Sequence, residues 1–66
     1  MKAYRILVQD SRLGGTVELA AEFRSDARAR EFACERLASS DHVKAVEVWA
    51  GPIRLCRYAS DARRAA

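Results

Sequence analysis

Apolar and polar positions alternate over the first third of this chain, and the period then changes. In residues 3–9, AYRILVQ, Tyr4, Ile6 and Val8 fall on one side and Arg5, Leu7 and Gln9 on the other. That is the period-two pattern of a strand. DSRLGG follows as a turn cluster whose glycines can take positive φ. TVELAAEFR then alternates without a break, with Val17, Leu19, Ala21 and Phe23 inward and Thr16, Glu18, Ala20, Glu22 and Arg24 outward. From Ser25 the period lengthens. Ala29, Phe32, Ala33 and Leu37 recur at helical spacing. Ser25 is a good N-cap, and Asp26 puts a negative charge in the first turn, where the helix dipole favours it. The helix is expected over 26–38, and SSDH ends it.

VKAVEVWAGPIRLCRYA, residues 43–59, reads as two strands around a tight turn. A two-residue Ala50-Gly51 loop sets Trp49 opposite Pro52, Val48 opposite Ile53 and Val46 opposite Leu55. The other face then pairs Glu47 with Arg54 and Ala45 with Cys56. Pro52 cannot donate a ladder hydrogen bond, so the last strand belongs at a sheet edge. The order is ββαββ. An α+β fold follows: a four-stranded antiparallel sheet in the order 2-1-3-4, with one helix packed on one face. Residues 1–59 form the single domain expected of such a short chain, and residues 60–66 a basic tail, expected to fray.

Composition limits the function classes. The chain has 66 residues, too few for a large core, and cores of this size supply only about 3–5 kcal/mol unless a partner, metal or disulfide adds to them. No apolar run approaches the roughly 18 residues of a membrane helix, and no signal peptide is recognisable, so a cytoplasmic chain intact from Met1 is expected. Cys34 and Cys56 are not in a CxxC spacing and are expected to be free thiols.

Chemistry finds little purchase. A catalytic site needs convergent groups, and the single histidine, His42, sits in the polar SSDH loop. Two Cys and one His cannot make a four-ligand zinc site. The glycine pair of SRLGGT leads into a strand, not into the helix that a phosphate-binding loop requires. The expectation is a protein that is not an enzyme and holds no cofactor or metal.

Two surfaces remain. The hairpin register above puts Trp49, Tyr58, Cys56 and Val43 on the sheet face away from the helix, and the alternation of the first strand adds Leu7. Aromatics there suit a protein partner or a second copy of the chain. The favoured reading is therefore a small interaction module that self-associates through the open sheet face or an edge strand. The alternative is nucleic acid. The net charge of +3 lies wholly in residues 51–66, where Arg54, Arg57, Arg63 and Arg64 stand against Asp61. Those four arginines could track phosphates, although Arg5, Arg24 and Arg54 on the sheet face are matched by Glu18, Glu22 and Glu47.

The second half, SDARAREFACERLASSDHVKAVEVWAGPIRLCRY, resembles a pattern in short proteobacterial proteins of unassigned activity. In these a strand pair precedes an Asp/Ala/Arg-rich helix and a terminal VEVWxG hairpin. The matching positions are Val46, Glu47, Val48, Trp49, Gly51 and Leu55, with the helix at Ser25 to Leu37; Pro52 after the turn departs from the pattern. The resemblance implies the fold and assigns no functional residue.

Overall fold

In the computed structural model, which describes residues 1–60, the elements follow the order β1 (Lys2–Asp10), β2 (Gly15–Phe23), α1 (Asp26–Ala38), β3 (Val43–Ala50) and β4 (Ile53–Ala59). The strands form one antiparallel sheet in the order β2-β1-β3-β4, and α1 lies across one face. The expected fold is the observed one. The basic tail, with Arg63 and Arg64, lies outside the described residues from 61 onward.

Local chemistry explains the boundaries. Asp10 ends β1 with its carboxylate turned back into the protein, only 3% exposed. Its Oδ1 accepts from the Arg12 backbone N–H at 2.8 Å and from Arg12 Nε at 3.1 Å, and its Oδ2 accepts from Arg12 Nη2 at 2.7 Å. The Asp10 carboxylate thus closes the β1–β2 turn, and Gly14, at φ 68°, supplies the left-handed residue the turn needs. Ser25 caps α1, its hydroxyl accepting from the Arg28 N–H at 3.3 Å. The Tyr4 hydroxyl donates to Asp26 at 2.6 Å, pinning the first turn of α1 to β1. At the other end of the helix, the Ser39 hydroxyl donates to the Arg36 carbonyl at 2.6 Å.

The core lies between helix and sheet. Tyr4, Ile6 and Val8 of β1 and Val46 and Val48 of β3 meet Ala29, Ala33 and Leu37 of α1, all buried. Leu19, Ala21 and Phe23 of β2 pack against this cluster, as expected from their alternation. Alanines at 29 and 33 let the helix approach the sheet closely, which leaves the large side chains to come from the strands. Tilted contacts between Tyr4 and Phe23 and between Phe23 and Phe32 close the β2 side of the layer.

The second hairpin departs from the expected register. Its two-residue turn is Gly51-Pro52, with Ala50 paired to Ile53. Gly51 has φ 59°. A glycine at positive φ followed by proline, whose ring fixes φ near −65°, fits a type II′ hairpin turn. The pairing then shifts between Val48 and Trp49: Trp49 faces Arg54 but Val48 faces Cys56, so Leu55 is an extra residue on β4. Beyond this bulge Val46 pairs with Tyr58 and Glu47 with Arg57. Cys56 and Tyr58 therefore lie on the helix side, packed against the core, and not on the open face. Ile53, expected in the core, is 63% exposed. A second shift, between Gln9 and Asp10, pairs Asp10 with Val43 and turns Val43 into the core as well, where it is 1% exposed.

Candidate functional site

The open face of the sheet is the surface left after the helix has covered the other. Strand alternation displays Arg5 and Leu7 from β1, Glu18 and Glu22 from β2, Glu47 and Trp49 from β3, and Arg54 and Arg57 from β4. Of the five residues expected to form an interaction face, only Trp49 and Leu7 stand here. Cys56, Tyr58 and Val43 are on the other side for the two bulge-related reasons given above.

Trp49 and Leu7 are both half-buried, and Trp49 is held on three sides. Its indole Nε1 donates to Glu47 Oε1 at 3.0 Å. The Arg5 guanidinium lies over its ring, 5.7 Å from the centroid, a cation–π arrangement. Arg54 is its cross-strand partner. Glu47 is the hub of the charged groups. Arg54 Nη1 and Arg57 Nε each lie 3.8 Å from one of its oxygens. The expected Glu47–Arg54 ion pair is present, although the two residues are diagonal neighbours and Arg57 stands directly opposite. Arg5 also reaches Glu18, at 3.6 Å.

The charges are sorted across the sheet. β2, at one edge, presents Glu18 and Glu22, while β4, at the other, presents Arg54 and Arg57. In the middle, Arg5 of β1 and Glu47 of β3 offset one another. The face is neutral in sum and polar from edge to edge. For nucleic acid this is a poor surface, since phosphate contact rests on unopposed positive charge and both described arginines of that reading share Glu47.

Elsewhere, His42 is exposed in its loop, and its carbonyl accepts from the Ser11 N–H at 2.8 Å. Asp10 is the one buried charged side chain among the described residues. Hydrogen bonds from the Arg12 side chain and then its backbone hold the Asp10 carboxyl down at about 2. The arrangement is a turn lock whose acceptor oxygens are already occupied. Among the described residues no three His, Cys, Asp or Glu side chains gather as a metal site would require, and no helix is long and apolar enough to cross a membrane.

No family model, no curated protein and no solved structure matches the chain. The functional reading therefore rests on the geometry of the open face.

Proposed function

We propose that the chain is a small non-enzymatic interaction module that pairs with a second copy of itself through the open sheet face. The observation that carries this reading is the sorting of charge around a central Trp49 and Leu7. A two-fold axis parallel to the strands lays β2 of one copy over β4 of the other. Glu18 and Glu22 then meet Arg54 and Arg57 twice, once on each side of the axis. The Trp49 and Leu7 pairs come together near the centre, where anchoring aromatics carry most binding energy. A core that alone is worth only about 3–5 kcal/mol gains from such a cover. A cytoplasmic location is part of this reading.

Light scattering over a concentration series tests the proposal. The mass is expected to rise from one chain to two, and Trp49→Ala to hold it at one. A wild-type chain that stays monomeric up to about millimolar concentration, where even a weak pair with Kd ~1 mM would be half formed, sinks the reading.

A further inference from the structure

The corrected register of the second hairpin has a chemical result on the helix side of the sheet. Cys56 stands opposite the fully buried Val48 and packs, half-buried, against the core beside Tyr58. The phase of α1 brings the other cysteine to the same place. Ala33 is buried at the centre of the helix–sheet contact. Phe32, one residue before it, leans towards β2, where its ring meets Phe23 at 5.4 Å between centroids. Cys34, one residue after Ala33, lies about 200° round the helix from Phe32 at 3.6 residues per turn. It therefore lies on the flank of α1 nearer the opposite edge of the sheet, β4, which α1 also contacts. Arg30, four residues earlier, lies on the same flank.

The groups that meet there act on one another. Tyr58 is raised first by burial and then by the neighbouring Cys56 and Cys34, and Cys56 is raised first by burial, with Tyr58 and Arg30 acting against that rise. Burial pushes the Cys56 thiol up, which makes it slow to attack from solvent, whereas Cys34 is exposed.

We propose that Cys34 and Cys56 form a reversible thiol–disulfide pair that couples α1 to the edge strand β4, with a low-molecular-weight disulfide such as oxidised glutathione as the oxidant. The Cys34 thiolate attacks one sulfur of glutathione disulfide, forming a mixed disulfide and releasing one glutathione thiolate. Cys56, after losing its proton, then attacks Cys34 Sγ, forming the Cys34–Cys56 bond and releasing the second glutathione. Two protein thiols are oxidised and one glutathione disulfide is reduced to two thiols, so atoms and electrons balance. The inference is independent of the open-face reading, because both sulfurs lie on the other side of the sheet.

The test treats the reduced full chain with glutathione disulfide and follows the intact mass and the peptide map. The expected product is a monomer lighter by two hydrogens, with the peptides carrying Cys34 and Cys56 joined and no glutathione retained. Closure is expected to be roughly tenfold or more faster in native buffer than in denaturant, because the fold raises the local concentration of the second thiol. Cys56→Ser is expected to stall as a lasting mixed disulfide at Cys34, and Cys34→Ser to react slowly. Glutathione adducts left on both cysteines of the native chain, bonds formed only between chains, or equal rates in buffer and denaturant would each overturn the proposal.

Discussion

Trp49 donates its indole N–H to Glu47, two residues earlier on the same strand, and Glu47 at the same time receives Arg54 and Arg57 from the neighbouring strand. One carboxylate thus fixes the central aromatic and collects the cationic edge of the face. Replacing it separates these roles. Glu47→Ala is expected to cost only about 0.5–1.5 kcal/mol of stability, as for one hydrogen bond with two partly exposed ion pairs. Its clearer effect is on the tryptophan, whose fluorescence should become more readily quenched by a soluble quencher. Unchanged quenching would mean that Arg5 alone holds the ring.

The sorted charges of the face give a prediction that can be reversed. Glu18→Lys with Glu22→Lys places positive charge on both edges, so two copies related by the two-fold axis repel. Dimerisation should weaken by about tenfold or more and become sensitive to salt. Adding Arg54→Glu and Arg57→Glu inverts the whole pattern and should restore the dimer. Failure of the fourfold variant to recover, with its fold intact by circular dichroism, would show that the edges do not meet.

Much of this arrangement was legible in the sequence, and the part that was not has a definite cause. Strand alternation placed Tyr4, Ile6 and Val8 inward and Arg5 and Leu7 outward, and Ser25 marked the start of the helix. The residues assigned to the wrong face all lie beyond a register shift, whereas Ile53, next to the turn and before the bulge, pairs with Ala50 and is left exposed at the end of the sheet. A one-residue slip exchanges the faces of a strand, and the extra residue at Leu55 does this to Cys56 and Tyr58. A signal was present. In β4 the apolar positions are 53 and 55, then 56 and 58, so the parity changes between Leu55 and Cys56. Arg54 and Arg57, three apart, can share the Glu47 face only if a bulge lies between them. Val43 gave no comparable signal, because its placement depends on a shift opposite Gln9 and Asp10 in another strand.

The Gly51-Pro52 turn behind that register can be tested directly. Gly51 sits at φ 59°, and no atom lies within 4 Å of where its Cβ would stand. Any loss in Gly51→Ala is therefore a backbone effect and not a clash. It should destabilise by about 1–2 kcal/mol, the cost of a left-handed conformation for an L-residue. Urea unfolding measures this. A neutral result would show that residue 51 does not need the left-handed conformation.

Acid should unlock the first turn. Arg12 holds the Asp10 carboxyl at about 2, below its ordinary 3.8. A carboxylate depressed in the folded state stabilises above its unfolded pKa, and that contribution is lost as pH falls through the folded value. The thermal midpoint should therefore drop between pH about 4 and about 2. Asp26, depressed by the Tyr4 hydroxyl and by Lys2, contributes in the same direction. Asp10→Asn should lower the midpoint at neutral pH and flatten its acid dependence. A variant with the wild-type acid profile would assign the loss to Asp26, and Tyr4→Phe would then flatten it instead.

The core sets the limit on all of these variants. Ile6 is fully buried in the middle of β1, the strand flanked on both sides by others. Removing its branched chain leaves a cavity walled by strand side chains that the sheet holds in place, so little collapse can fill it. Ile6→Ala is expected to cost about 2–5 kcal/mol, most of what a core of this size supplies. The isolated chain should then be largely unfolded at room temperature, while Leu13→Ala, at a loop position 63% exposed, should stay within about 0.5 kcal/mol of wild type. Association adds a further expectation. If the open face is covered by a second copy, Ile6→Ala should regain helical and strand signal as its concentration is raised, because a dimer of folded chains draws on the unfolded pool. A folded fraction that does not depend on concentration would show that the core stands without that cover.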